Sequence, residues 1–143
     1  MKKLFLLLSL FAFASITFAQ DNGPEITFEE ELIDYGTLDK GADGKRVFVF
    51  TNTGNEPLII SNCKGSCGCT VPTCPKEPIM PGESGEIEVK YDTQRVGSFT
   101  KAVTVTSNAK TPTKVVQIKG VINQAPAEET APKKESSEFV SPN

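Results

Sequence analysis

The chain has 143 residues with 15 basic and 18 acidic side chains, a formal net charge of −3, and neither histidine nor tryptophan. A mildly acidic chain without basic clusters lacks the Lys/Arg patches that nucleic acid requires, so we expect no nucleic-acid partner. Because histidine is absent, Ser-His and Cys-His catalysis and imidazole metal ligation are excluded. The length suits one domain.

The N-terminus has the pattern of a secretory signal peptide. Lys2 and Lys3 form a basic start, residues 4–18 are small, apolar or hydroxylic, and Thr17-Phe18-Ala19 places small residues where a signal peptidase reads them. The alternative is an uncleaved membrane anchor, but the apolar run is shorter than the ~20 residues that a span needs. We predict a signal peptide at residues 1–19, cleavage after Ala19, and a leader at residues 20–24. The mature protein is then expected in the periplasm or at the cell surface, with no stable membrane span.

Residues 25–123 carry the alternating patterns of short β-strands, and only the signal peptide has a convincing helical period. The predicted extended segments are residues 26–29, 32–36, 46–51, 58–60, 85–92, 99–107 and 114–122. Their number and spacing predict an all-β, immunoglobulin-like antiparallel β-sandwich of seven or eight strands.

Three of these segments carry the clearest signals. Residues 47–50 are continuously apolar, which predicts a central strand covered on both faces. In residues 85–92, apolar side chains alternate with charged ones, which predicts one buried and one wet face. Val103 and Val105 are expected inward in the next strand. Pro81-Gly82 before residue 85 fits the centre of a type II turn.

After the last strand, residues 124–143 are rich in Pro, Ala, Glu, Lys and Ser. Such a segment cannot bury enough apolar surface to offset its ordering entropy, so we predict a disordered tail. The alternative is a docking peptide that uses Phe139 and Val140.

All four cysteines lie in a stretch of twelve residues, Cys63, Cys67, Cys69 and Cys74, which we predict to be a loop between the strand at residues 58–60 and the proline-rich turn. An export signal and an even cysteine count favour disulfides. Cys63–Cys74 is the favoured bridge, because it closes a longer loop without geometric difficulty. Cys67 and Cys69 would then form a bridge, a free pair or a partner-facing pair. A bridge between them needs a turn at Gly68, because their Cα atoms in an extended segment approach or exceed the ~7 Å limit. The alternative is the crossed set, Cys63–Cys69 with Cys67–Cys74.

Two kinds of chemistry compete with a purely structural role for these cysteines. Thiolates bind Zn²⁺ or Cu(I), with Cys67 and Cys69 as candidates, but the spacing C-x₃-C-x-C-x₄-C is not a standard zinc knuckle and an oxidising compartment counts against both metals. Thiol exchange at Cys67-Gly68-Cys69, with Lys64 nearby to favour a thiolate, lacks a surrounding thioredoxin-like pattern. We therefore predict no metal and no cofactor.

Several strings across residues 25–123 resemble the bacterial domain-of-unknown-function family numbered 1573. They are SCGCT at residues 66–70, PGESGEI at 81–87, GSF at 97–99, SN at 107–108, FTNTG at 50–54, and Phe28 separated by six residues from Tyr35-Gly36. The resemblance implies an immunoglobulin-like sandwich of the major-sperm-protein and Hydin type in an exported protein with no established activity. Cys63 and Cys74 depart from the common pattern of the family, which leaves the chemistry of Cys67 and Cys69 open.

These observations together predict a non-catalytic module with no catalytic residues, which binds or supports an unidentified protein or envelope partner. Sandwich domains present loops and edge strands, and pairing at an edge is a recognised binding mode. The alternative is a small thiol-redox or Cu(I)-handling protein that uses Cys67 and Cys69.

Overall fold

A computed structural model describes residues 22–124 of the chain. The predicted signal peptide with its cleavage after Ala19, and the tail beyond residue 124 with Phe139 and Val140, lie outside the described residues. The described part contains eight β-strands and no helix. Among these residues there is therefore no helix that could cross a membrane. The strands are β1 (Ile26–Phe28), β2 (Leu32–Asp39), β3 (Lys45–Asn52), β4 (Ile60–Gly65), β5 (Thr70–Thr73), β6 (Ser84–Tyr91), β7 (Gly97–Ser107) and β8 (Thr113–Asn123).

The strands form two four-stranded sheets, which confirms the predicted β-sandwich. The first sheet has the order β1-β3-β6-β5 and the second β2-β8-β7-β4. Neighbouring strands are antiparallel except that β2 runs parallel to β8, so the second sheet is mixed. The edge strands of the first sheet are β1 and β5, and those of the second are β2 and β4.

Alternate residues of the four central strands fill the space between the sheets. Those with at most 1 % of their surface exposed are Phe48, Phe50 and Asn52 in β3, Ile87 and Val89 in β6, Val103 and Val105 in β7, and Val116, Ile118 and Ile122 in β8. The inward positions expected for β6 and β7 are therefore confirmed. The expectation that residues 47–50 are covered on both faces was wrong, because Val47 is 42 % exposed. Each sheet of this sandwich has one covered face, so the outward residues of β3 meet solvent.

A cluster of three aromatic rings packs the two sheets together at one end. The ring of Phe99 stacks on Tyr91 at 3.8 Å between centroids and meets the edge of Tyr35 at 5.5 Å. The Tyr35 hydroxyl donates a hydrogen bond from the second sheet to the carbonyl of Gly44 at 3.1 Å, with the Val89 carbonyl at 3.4 Å. Burial raises the pKa of Tyr35 to about 12. This phenol therefore stays neutral and bonded over the ordinary pH range.

At the other end, a fully buried amide ties several turns together. The Nδ2 atom of Asn52 donates to the carbonyls of Glu56 at 2.8 Å and Ile79 at 2.9 Å, and its Oδ1 atom accepts from Gly54 N–H at 3.0 Å. The nearby turn at Pro81-Gly82 has Gly82 at φ 80°, and Glu83 N–H donates to the carbonyl of Met80 at 3.0 Å. The predicted type II turn is therefore confirmed.

Candidate functional site

The cysteine segment consists largely of strand, so its prediction as a loop was wrong. Cys63 lies within β4, residues 70–73 form β5, and only residues 66–69 connect the two strands. β4 and β5 are the edge strands of opposite sheets, so the segment carries the chain from one sheet to the other along one side of the sandwich. Of the predicted strand at residues 58–60, only Ile60 belongs to a strand, and Leu58 forms an isolated bridge with Ile79.

β5 contains a proline, Pro72, which the position of this strand at the sheet edge accommodates. Asp92 N–H donates to the carbonyl of Cys69 at 2.9 Å, so the alternating residues Val71 and Thr73 face β6. The nitrogen of Pro72 consequently points away from the sheet, where no ladder hydrogen bond is lost. Proline is tolerated in this orientation at a sheet edge.

The structure pairs the four cysteines as two disulfides of different kinds. Cys63 in β4 is joined to Cys74, directly after β5, with 6.1 Å between the Cα atoms. Cys67 is joined to Cys69 across the connecting turn, with 5.2 Å between the Cα atoms. The structure thus brings together the pair favoured from the sequence and not the crossed set. We call Cys63–Cys74 the cross-sheet disulfide and Cys67–Cys69 the turn disulfide.

The two bridges constrain the unfolded chain to different extents. Loop-closure entropy gives about 3 kcal/mol for a bridge whose cysteines are 11 residues apart, and about 1–2 kcal/mol for one whose cysteines are 2 apart. The cross-sheet disulfide also joins the two sheets along their β4/β5 side. It therefore has the larger part in holding the sandwich together.

Hydrogen bonds to both sheets fix the turn that carries Cys67 and Cys69. Ser66 N–H donates to Ala102 of β7 at 2.8 Å, Thr70 N–H donates to the carbonyl of Cys67 at 3.2 Å, and Cys69 accepts from residue 92 as described above. Gly68 does not have a positive φ, and a Cβ there would meet nothing within 4 Å. The glycine that geometry requires is Gly65, where a Cβ would collide with the carbonyl of Thr70.

The sulfur atoms of the turn disulfide have unequal surroundings. Cys69 is 4 % exposed and packs with the core, whereas Cys67 is half-buried. The hydroxyl oxygen of buried Thr70 lies 3.6 Å from Cys67 Sγ and 3.9 Å from Cys69 Sγ. A disulfide sulfur has no hydrogen to donate, so Thr70 is the donor to these weak acceptors. Sequence reasoning missed this residue, although it directly follows the last cysteine of the C-x-C pattern.

The lysine expected to favour a thiolate projects away from the side chain of Cys63. Lys64 is exposed and follows Cys63 in β4, so the two side chains project from opposite faces of the strand. Among residues 22–124, no group of three or more Cys, Asp or Glu side chains is arranged to hold a metal ion. Cys67 and Cys69, the metal candidates from the sequence, are joined to each other in the structure.

A second feature lies directly beside this turn. β4 ends at Gly65, opposite Val103, so its pairing covers only the second half of β7. Within the described part of the chain, no strand pairs with residues 97–101 on the side away from β8. We call this stretch the open edge of β7. Because Ala102 bonds toward Ser66, the alternating residues Thr100 and Ser98 direct their N–H and C=O groups to the same side.

The face of the second sheet beside the open edge, across β2, β8 and β7, is concave. A cleft of about 380 Å³ is lined by residues of β2, β7 and β8, among them Ser98, Thr100 and Val121. Val121 is 40 % exposed, and Val96, just before β7, is 49 % exposed. Among the described residues, the open edge therefore has backbone groups without a strand partner, and exposed Val96 lies at its start.

Comparison with known proteins places this geometry in a family. The family described as "Protein of unknown function (DUF1573)" matches residues 26–122, which span all eight strands. The chain belongs to this family. The resemblance drawn from the SCGCT and PGESGEI strings is thereby confirmed. No curated protein sequence matches the chain significantly.

Solved structures share the fold of this DUF1573 domain at low sequence identity. A protein of unknown function from Porphyromonas gingivalis W83 aligns with a TM-score of 0.62 and 18 % identity, covering 68 % of this chain and 46 % of that one. PapD-like domain 7 of human CEP192 aligns with a TM-score of 0.60 and 9 % identity, covering 72 % and 88 %. The periplasmic chaperone SfaE aligns with a TM-score of 0.50 and 10 % identity, covering 71 % and 58 %. These similarities establish a PapD-like, immunoglobulin-like sandwich.

Proposed function

We propose that this DUF1573 domain is an exported binding module that pairs an extended segment of a partner protein with the open edge of β7, a role that involves no catalysis. In this proposal residues 1–19 direct export and are removed after Ala19. Residues 25–123 form the single binding domain, and residues 124–143 are a solvated tail. The partner is a protein of the periplasm or cell surface.

The open edge of β7 is the observation that carries the proposal. An edge strand with free N–H and C=O groups is a template for another strand, and proteins usually cover or disrupt such edges. Here the β4/β5 side is joined by the cross-sheet disulfide, whereas residues 97–101 have no strand neighbour on that side among the described residues. A partner strand would extend the line of β4 beyond Ser66 and bond to Thr100 and Ser98. Exposed Val96, directly before β7, would contact a side chain of the partner strand.

Two further observations support a binding role. The PapD-like fold is shared with the periplasmic chaperone SfaE, a protein of the compartment proposed here. The described residues also contain no histidine and no cluster of acidic and thiol side chains arranged around a metal. A module whose surface offers backbone pairing and apolar contact is suited to protein recognition.

Thr100→Pro tests the binding mode directly. Proline removes the Thr100 N–H, which points to the open edge, while the β7–β8 hydrogen bonds use residues 99, 101 and 103. Thr100→Ala is the matched control, because it keeps the N–H. A photo-crosslinking residue at position 98 of the protein expressed in cells should give a discrete adduct. We expect Thr100→Pro to reduce the adduct about fivefold or more, since one hydrogen bond is worth about 1 kcal/mol.

The same crosslinker at Glu86, on the outer face of the first sheet, controls for non-specific capture. An adduct that survives Thr100→Pro, or that forms equally from position 86, would refute strand addition at the open edge. The export proposal has its own measurement. The intact mass of protein from the periplasmic fraction should correspond to a chain that begins at Gln20, and a full-length mass would contradict cleavage after Ala19.

A further inference from the structure

The two disulfides differ in what opening them would release. The cross-sheet disulfide joins β4 to the end of β5 and so links opposite sheets. The turn disulfide spans a turn whose backbone is already held by hydrogen bonds from Ser66, Thr70 and Asp92. Opening Cys67–Cys69 therefore leaves both sheets and their connection in place.

From this difference we infer that the turn disulfide is a thiol–disulfide exchange site, with Cys67 as the attacked sulfur, Cys69 as the leaving sulfur and Thr70 as a positioning residue. The substrate class is a dithiol, supplied by a reducing protein or by two molecules of a small thiol. The inference is independent of strand addition at the open edge, because it concerns only the turn.

The direction of attack follows from the exposure of the two sulfur-bearing residues. An attacking thiolate must reach one sulfur atom from solvent, and exchange rates depend on that access. Both residues pack against the core, but Cys67 is only half-buried, whereas Cys69 is 4 % exposed. Approach is therefore open to Cys67 and closed to Cys69.

The hydroxyl of Thr70 lies beside both sulfurs, so it can assist the exchange, while the direction of attack rests on exposure. Exchange is faster when the leaving sulfur is stabilised as a thiolate. The Thr70 oxygen lies 3.9 Å from Cys69 Sγ and is itself buried, so it can donate a hydrogen bond to the thiolate as the bond breaks. A hydrogen bond to an ionised group is stronger than one to a neutral group.

The exchange balances as two displacements. A thiolate of the dithiol attacks Cys67 Sγ, the Cys67–Cys69 bond breaks, and Cys69 leaves with the electron pair as a thiolate. The second thiol of the dithiol, deprotonated, then attacks the substrate sulfur of the mixed disulfide, and Cys67 leaves as a thiolate. Both thiolates take up the protons that the dithiol released. Two electrons have passed from the dithiol, which becomes a disulfide, to the turn.

A redox titration of the purified wild-type protein tests the inference without any substitution. The protein is equilibrated with mixtures of reduced and oxidised glutathione, alkylated, and mapped by peptide mass. We expect Cys67 and Cys69 to become alkylated at a ratio of reduced to oxidised glutathione at least about tenfold lower than Cys63 and Cys74 require. Simultaneous opening of both bridges, or earlier opening of the cross-sheet disulfide, would overturn the inference.

Single-cysteine variants test the direction of attack. Cys69→Ala leaves Cys67 as a thiol at the surface, and Cys67→Ala leaves Cys69 as a buried thiol. With oxidised glutathione, Cys69→Ala should form a mixed disulfide at least about tenfold faster than Cys67→Ala, because access controls the rate. Circular dichroism establishes that each variant retains the β fold. Equal rates in folded variants, or a faster rate for Cys67→Ala, would contradict attack at Cys67.

The hydrogen bond from Thr70 can be tested separately from the packing of its side chain, because the hydrogen bond alone should affect the thiol pKa and the exchange rate. Thr70→Val keeps the shape of the side chain and removes the donor, whereas Thr70→Ser keeps the donor. In Thr70→Val the pKa of the reduced Cys69 thiol should rise, and exchange with reduced glutathione should slow about tenfold. Thr70→Ser should restore both. A pH–rate profile that Thr70→Val leaves unchanged would remove Thr70 from the mechanism.

Discussion

The Tyr35 hydroxyl offers a quantitative test of how the two sheets are held together. Tyr35→Phe removes the 3.1 Å hydrogen bond to the carbonyl of Gly44, together with the longer approach to Val89, and keeps the ring contact with Phe99. At neutral pH we expect a loss of about 1–2 kcal/mol in the free energy of unfolding, because a buried hydrogen bond is lost and an acceptor is left unpaired. Urea unfolding followed by circular dichroism gives this difference.

At alkaline pH the same substitution should protect the protein from a loss of stability that the wild type undergoes. The folded pKa of Tyr35 is raised from 10.0 to about 12, so the folded state holds the phenolic proton more tightly than the unfolded state does. That contribution is fully present below pH 10 and is lost as pH rises toward about 12, amounting to about 2.7 kcal/mol in all and about 1.4 kcal/mol at pH 11. Tyr35→Phe lacks this loss, so its deficit at neutral pH should close near pH 11.

The alkaline comparison has an internal control in the other tyrosine. Burial also raises the pKa of Tyr91, and that effect is common to the wild type and Tyr35→Phe, so it cancels in their difference. Within the described residues the Tyr91 hydroxyl has no hydrogen bond across the sheets, so Tyr91→Phe should cost less than about 0.5 kcal/mol at neutral pH. If the deficit of Tyr35→Phe stays constant from about pH 8 to about pH 11, the Tyr35 phenol does not titrate as its burial requires.

Four other substitutions test three separate features, each by urea unfolding. Gly65→Ala should lose about 2–3 kcal/mol because its Cβ meets the β5 backbone, whereas Gly68→Ala should change stability by less than about 0.5 kcal/mol; equal effects would contradict the geometry of the turn. Asn52→Ala should lose about 3 kcal/mol because the buried amide and its three part-buried hydrogen bonds to backbone groups are lost, and a loss below about 1 kcal/mol would refute that role. Hydrogen bonds from the Gly36 N–H and then from Lys119 lower the pKa of Asp34, so the stabilisation by this carboxylate is lost as pH falls through the lowered value. Asp34→Asn should therefore weaken the dependence of unfolding free energy on acid pH. An unchanged dependence would show that Asp34 does not contribute to it.

The sandwich was predictable because its central strands are patterned by burial. Strands β6, β7 and β8 alternate apolar and polar residues, and a period of two identifies the inward face without further information. The apolar run at residues 47–50 led to one wrong prediction, that this strand is covered on both faces. Val47 and Val49 are β-branched residues that suit a pleated strand whether or not they are covered, so composition alone could not show that this face is exposed.

The strands that flank the turn were hidden by their position at the sheet edges. An edge strand pairs on one side only, so it tolerates polar residues such as Asn62 and a proline such as Pro72. Both residues count against a strand when a sequence is read by propensity. Similarly, the requirement for glycine at Gly65 comes from the close approach of β5, a contact between two sheets that local sequence does not encode.

The sequence did not determine which cysteines pair, because their spacing is compatible with several disulfide sets. Cys63 and Cys74 were favoured because a long loop is easy to close, but their actual neighbourhood depends on β4 and β5 lying at the same side of opposite sheets. The position of Thr70 beside both sulfurs likewise requires the turn that brings residue 70 back toward residue 67. Sequence spacing limits which residues can meet, and only the folded path of the chain selects among them.

The two proposed activities occupy adjoining parts of one surface. The hydrogen bond from Ser66 to Ala102 marks both the end of the β4 line and the start of the open edge of β7, so a partner strand seated on Thr100 would end beside the Cys67-Gly68-Cys69 turn. The proposals nevertheless fail separately. Thr100→Pro removes a donor at the open edge and leaves Thr70 and both sulfurs untouched, so it should reduce partner capture while exchange with glutathione continues at the wild-type rate. Thr70→Val should slow the exchange and leave partner capture unchanged. If either substitution abolished both activities in a protein that remains folded, the open edge and the turn would form a single site, and a partner bound at β7 would be the natural thiol donor to Cys67.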